Sequence, residues 1–198
     1  MDLAVIGLTF VAIFLVELPD KTFLATLVLA TKYRPVLVWI GVGLAFAVQT
    51  LVAVTVGGLV SLLPHTAVHL AAGALFLVGA VVLFREGRAQ QGETEDEDEV
   101  AEKAKPATGL RAVIASFLIL FMAEWGDLSQ LLSVSLVARY RDPVSVFIGA
   151  LAALLIVSGL AVVLGRQLLR FVKLHVLHFV GAFLCLAIGA YTVVEALA

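Results

Sequence analysis

Four carboxylic acids recur in this chain as two matched pairs. Glu17 and Asp20 stand three residues apart, and so do Glu124 and Asp127. At that spacing two side chains lie about one turn apart on the same helix face. Gln130 lies three residues past Asp127, on that face, while Thr22 and Ser129 each follow their aspartate by two residues. If the pairs converge, they present four carboxylates and a neutral amide oxygen. Hard oxygen donors in that number suit calcium or manganese, whereas a soft metal would call for sulfur or imidazole. The Thr22 and Ser129 hydroxyls are off-face in an ideal helix and join such a site only where the helix is locally unwound.

The stretches that carry these acids are apolar. Of 198 residues, 62% are hydrophobic and only 14% charged, too little charged surface for a water-soluble domain of this length. The charges are gathered in short islands between long apolar runs, the pattern that lipid imposes. Six spans are expected, roughly at residues 3–31, 36–62, 67–84, 110–138, 144–164 and 175–197. The first and fourth are longer than a bilayer requires and must tilt or break. Pro19, which has no N–H for the carbonyl of Leu15, and Gly126 mark where they break.

A charged side chain at the bilayer centre costs about 2.5–3.5 kcal/mol, so four uncompensated acids would cost roughly 10 kcal/mol or more. Lys21 is the one nearby cation in sequence and a candidate counter-ion, or a structural partner of Asp20. A bound cation or bound protons must supply the rest; alternatively the acids are protonated and hydrogen-bonded across helices. Gln49, with Thr50, is a candidate pathway residue in the second span, or a donor of interhelical hydrogen bonds.

The chain is also written twice. Phe14 to Thr22 matches Phe121 to Ser129, Lys32-Tyr33-Arg34-Pro35 answers Arg139-Tyr140-Arg141-Asp142-Pro143 with one insertion, Trp39-Ile40-Gly41 answers Phe147-Ile148-Gly149, and Gly73-Ala74 answers Gly181-Ala182. Three spans per half force the second half to enter the membrane upside down. The expected fold is therefore an all-α membrane protein with six transmembrane helices in two inverted three-helix repeats, residues 1–85 and 110–198. The acidic stretch 86–109 joins them as a disordered linker or, alternatively, also gathers cations. In secondary transporters of this build the substrate site lies near the midplane, on broken helices at corresponding positions.

The remaining features narrow the class. A net charge of −2 gives no footprint for nucleic acid. Cys185 is the only cysteine and forms no intrachain disulfide. His65 with His69 and His175 with His178 fall at span ends, where histidine commonly sits at the interface. Gly41, Gly43, Gly57 and Gly58 are expected to allow close helix packing. The N-terminus lacks a basic region and a cleavage site, so the first apolar stretch is expected to remain as a span. Lys and Arg gather on one side of the six-span topology, with only Arg139 and Arg141, in a loop, on the other. That asymmetry predicts both termini outside and the acidic loop cytoplasmic.

At Glu17-Leu18-Pro19-Asp20-Lys21-Thr22 and Glu124-Trp125-Gly126-Asp127-Leu128-Ser129 the chain resembles a family of small calcium or manganese cation/proton exchangers. These have Golgi, chloroplast and bacterial members and belong to the wider lysine-exporter superfamily. The family's mark is Glu-x-Gly-Asp-(Lys/Arg)-(Ser/Thr), once per inverted half. Pro19 replaces its glycine in the first copy, and Leu128 its basic residue in the second. The resemblance implies cation ligands at Glu17, Asp20, Glu124 and Asp127, with Thr22 and Ser129 as hydroxyl partners. It implies manganese before calcium as the transported ion, no cofactor, and protons as co-substrate.

The same acids suggest how exchange would work. Desolvation and mutual repulsion favour protonated carboxylates when no metal is present, so a divalent cation must displace protons. The expectation is a non-enzymatic, multi-pass transporter of the plasma membrane, whose partners are the cation, protons and lipid. An exporter of lysine or another small amine is an alternative, as is an intramembrane acid-dependent enzyme, although the chain has neither His-Glu-x-x-His nor Gly-x-Gly-Asp.

Overall fold

A computed structural model describes residues 1–18, 21–62, 65–88, 104, 107–171 and 174–197. These fold as eight helices: α1 (Leu3–Glu17), α2 (Lys21–Lys32), α3 (Pro35–Val60), α4 (His65–Arg88), α5 (Leu110–Ala123), α6 (Leu128–Tyr140), α7 (Pro143–Phe171) and α8 (Leu174–Leu197). In lipid a backbone has no water to bond, so apolar runs of this kind satisfy their own amides by forming helix. Their ends are set by local chemistry. The Asp2 carboxylate accepts from the Ala4 amide at 2.8 Å and caps α1. Pro35 opens α3, where its missing N–H is no loss. Arg141, at φ 53°, closes α6 in the left-handed conformation. Asp142 accepts from the Ser145 amide at 3.1 Å and its hydroxyl at 2.6 Å, which holds this carboxyl below the usual range.

Among the described residues, two helices are each long and apolar enough to cross a membrane, Pro35–Val60 and Pro143–Val163. Two more candidates are bent pairs: Leu3–Glu17 with Thr22–Lys32 turns by 69°, and Leu110–Ala123 with Leu128–Tyr140 by 72°. These are the two stretches expected to tilt or break. Leu70–Arg85 and Phe179–Val194 are shorter apolar helices.

α3 packs against α7, and α4 runs along α8. Around them, α1 lies on α7 as α5 lies on α3. The likeness extends to atoms. A Cβ on Gly41 would stand 2.4 Å from the Val113 carbonyl oxygen and 2.9 Å from Cβ of Ser116. One on Gly149 would stand 2.6 Å from the Ile6 carbonyl oxygen and 2.9 Å from Cβ of Thr9. Phe10 stacks on Phe14 at 5.6 Å between centroids, and Phe117 on Phe121 at 5.4 Å. The residues that match in sequence thus make matching contacts.

Two expectations shift. Arg139 and Tyr140, expected in a loop, are the last residues of α6. The Arg139 guanidinium donates to Thr192 and lies over the rings of Tyr140 and Tyr191, at 5.3 and 5.0 Å, so contacts with α8 support the final turn. Within the expected linker, Arg88 still belongs to α4 and Ala104 is buried in the core. The acidic run 93–99 lies outside the described residues.

Because backbone carbonyls cannot swing aside, Gly41→Ala and Gly149→Ala should each destabilise the protein, by about 1–3 kcal/mol. Gly58, expected to allow close packing, faces open space instead, since a Cβ there meets nothing within 4 Å, and Gly58→Ala should not destabilise it. Thermal unfolding in detergent compares the three.

Candidate cation site

The site is built on the break between α5 and α6. Regular helix stops at Glu124, whose amide still donates to the Leu120 carbonyl at 3.0 Å. Gly126 then takes φ 81°, which costs any residue with a Cβ about 1–2 kcal/mol. Asp127 is extended at φ −66° and ψ 165°, and its carboxylate accepts from the Ser129 amide at 3.4 Å, capping α6.

A break frees carbonyls that a continuous helix would pair, and two glutamines take them up. Gln130 donates its Nε2 to the Glu124 carbonyl at 2.6 Å and accepts from the Gly126 amide at 3.2 Å, so both ends of its amide brace the turn. From α3, Gln49 donates Nε2 to the Phe121 carbonyl at 3.0 Å. Gln49 therefore makes an interhelical bond and also lines a small cavity beside Glu124, with Thr50, Ser129 and Ser133 and the apolar Phe46 and Leu154.

Into this break comes Glu17, the last residue of α1. One carboxylate oxygen from each of Glu17, Glu124 and Asp127 lies within 4.8 Å of the other two. Glu17 and Glu124 are buried, 1% and 3% exposed, and Asp127 is half-buried. The Thr22 and Ser129 hydroxyls face the Glu17 carboxylate, yet neither Glu17 oxygen completes a hydrogen bond among the described residues. Two oxygens bound to one ion at 2.3–2.6 Å can be no more than about 5.2 Å apart, so the spacing fits ligation of a single calcium-sized cation.

Glu17, Glu124, Asp127, Thr22 and Ser129 are thus brought to one place from both halves of the chain, whereas the Gln130 amide oxygen, expected among the cation's ligands, accepts instead from the Gly126 amide. Pro19 and Asp20 lie outside the described residues, as do the side chains of Lys21 and of His65, His69, His175 and His178. Away from these groups, the hydroxyls of Thr9, Thr26 and Ser116 are also fully buried without a hydrogen-bond partner among the described residues, which sequence reasoning did not single out. Their signal was available: Thr9 and Ser116 are equivalents in the repeat, and Thr26 answers Ser133.

Residues 5–91 and 112–198 match the family described as divalent cation/proton antiporter GDT1. GDT1-like protein 2, chloroplastic, of Oryza sativa subsp. japonica is 31% identical over 92% of this chain and 59% of its own length. The Arabidopsis thaliana protein PAM71-homolog, chloroplastic, is 31% identical over 92% of this chain and 57% of its own length. GDT1-like protein sll0615 of Synechocystis is 32% identical over 76% of this chain and 77% of its own length. The chain therefore spans less than two thirds of these plant relatives. No solved structure matches it. The plasma-membrane expectation is corrected here, because the plant relatives are chloroplastic and point to an organellar membrane.

Gly126→Ala should cost about 1–2 kcal/mol from the positive φ. Gln49→Leu should cost about 1–3 kcal/mol by leaving the Phe121 carbonyl without this donor. Thermal melts of both variants test the bracing. Cooperative unfolding at an unchanged midpoint for Gln49→Leu would contradict it.

Proposed function

Because the chain belongs to the GDT1 family of divalent cation/proton antiporters, a family of transporters and not of enzymes, we propose that it exchanges a divalent cation for protons across a membrane, with manganese the first candidate and calcium the next. What carries the reading is the meeting of Glu17, Glu124 and Asp127 oxygens within 4.8 Å in an apolar interior. Desolvated carboxylates at that distance cannot all remain charged unless something cationic joins them, and protons or a metal ion do so in turn. Carboxylate and hydroxyl oxygens take manganese and calcium alike, and the family resemblance implies the same two ions.

In this account the chain has six spans in two inverted three-helix repeats, with α1–α2 and α5–α6 as the broken members. Asp20 precedes α2 as Asp127 precedes α6, and completes the carboxylate set. Thr22 and Ser129 supply hydroxyl oxygens. Gln130 holds the break, and Gln49 braces it while bordering the route to Glu124. Lys21 is the counter-ion that the second motif lacks, since Leu128 stands in its place. Cation binding expels protons from the acids; protons binding from the other face expel the cation.

The test is manganese and calcium flux into liposomes under an imposed pH gradient, beside a Glu17→Gln, Asp127→Asn variant. Gradient-driven flux that the variant loses supports the exchanger and its site. Absence of flux from folded wild-type protein, or gradient-driven lysine movement instead, contradicts it. Manganese should also raise the melting temperature, by the equivalent of about 2.7 kcal/mol at a hundred times its Kd. Glu17→Gln should abolish that gain and leave the metal-free melting temperature close to that of the wild type, because the amide resembles the protonated acid that is held there without metal. Cation affinity should fall steadily as pH is lowered from roughly 8 to 5, since protons compete for the same oxygens.

A further inference from the structure

The two motifs match in sequence, yet the structure treats their surroundings differently. Beside the second motif is a small cavity of mixed lining, in which Gln49, Thr50, Glu124, Ser129, Gln130 and Ser133 stand among the apolar side chains of Phe46 and Leu154. The repeat places Val157 opposite Gln49, Phe23 opposite Gln130 and Thr26 opposite Ser133. There, beside the first motif, Leu18, Phe23, Leu24, Val157 and Ala161 pack into a separate apolar cluster. Burial follows the same division. Leu18 is 8% exposed and its equivalent Trp125 61%; Leu24 is 3% exposed and its equivalent Leu131 39%.

We infer that the apolar cluster of Leu18, Phe23, Leu24, Val157 and Ala161 is a closed gate on one face of the carboxylate site, and that the Gln49, Thr50 and Ser133 cavity is the hydrated access route on the other. The inference rests on the exchanger reading and adds specific residues to it. A divalent cation does not leave its water for a passage lined only by hydrocarbon, because nothing there replaces the lost oxygen ligands. Amide and hydroxyl oxygens do replace them, and Gln49, Thr50 and Ser133 bring such oxygens to the small cavity beside Glu124. Phe23 and Val157 occupy the places where a second route would need polar groups, so the repeat is asymmetric where it must be if the two faces are not to open together. Thr26, buried and without a hydrogen-bond partner among the described residues, is the hydroxyl that such a route would use once the gate parts.

Ser133 and Thr26, as equivalents in the repeat, give an internal control. Each is changed to cysteine in a Cys185→Ser background and treated, without metal or pH gradient, with a small cationic methanethiosulfonate in liposomes permeable to the reagent. Ser133→Cys should react about ten times faster than Thr26→Cys if the structure's state dominates, and adding Phe23→Ala should raise the Thr26→Cys rate to a similar level. Equal rates, or a Thr26→Cys rate unmoved by Phe23→Ala, would overturn the gate. A second measurement is independent of labelling: a Phe23→Gln, Val157→Gln variant should pass manganese equally with and without a pH gradient, whereas retained gradient dependence counts against the gate. The outcomes separate the two ideas. Equal labelling beside normal proton-driven flux removes the gate alone, and asymmetric labelling beside wild-type protein without any flux removes the exchanger alone.

Discussion

Burying like charges together is the constraint on which this structure depends. Glu17 and Glu124 are taken out of water within an ångström or two of van der Waals contact, with Asp127 beside them. In hydrocarbon such a cluster is unstable unless the backbone brings it together and something neutralises it. The rest of the local architecture answers to this. Gly126 turns the chain, Asp127 caps the new helix, and Gln130 and Gln49 satisfy what the turn leaves open. Close packing at Gly41 and Gly149 sets α5 on α3 and α1 on α7, fixing the distance between the two broken pairs.

Symmetry and its failure serve different ends here. The matched glycine contacts and phenylalanine stacks position two equivalent acids at one point, which a single-copy helix could not do. In the proposed exchanger the mismatched positions, Gln49 against Val157 and Gln130 against Phe23, would make the approaches to that point unequal. An exchanger needs both properties, because one site must serve two faces without ever being open to both.

Much of this was legible in the chain. The positions of the two bends follow from Pro19 and Gly126 and from the span lengths, and the matching contacts at Gly41 and Gly149 from the repeat. What could not be read is which helix meets the freed carbonyls. Gln49 lies 72 residues from the Phe121 carbonyl that it caps, and nothing local marks it as the donor. Nor did the matching motifs disclose their unequal surroundings, since Phe23 and Val157 look like ordinary lipid-facing residues until their burial is known. Arg139 was expected in a loop because charge normally ends a span; its contacts with Thr192 and Tyr191 extend the helix instead. Lysine and arginine counts speak to orientation and not to which membrane, and the relatives corrected that point.

The most direct test of the central claim is proton release on metal binding. Manganese is added to purified protein in weakly buffered detergent solution at mildly acidic pH, and the protons liberated per ion bound are measured. The account predicts stoichiometric release that decreases as pH rises and that Glu17→Gln reduces. Manganese that binds tightly without expelling protons, or that leaves the release unchanged when Glu17 is neutralised, would contradict it.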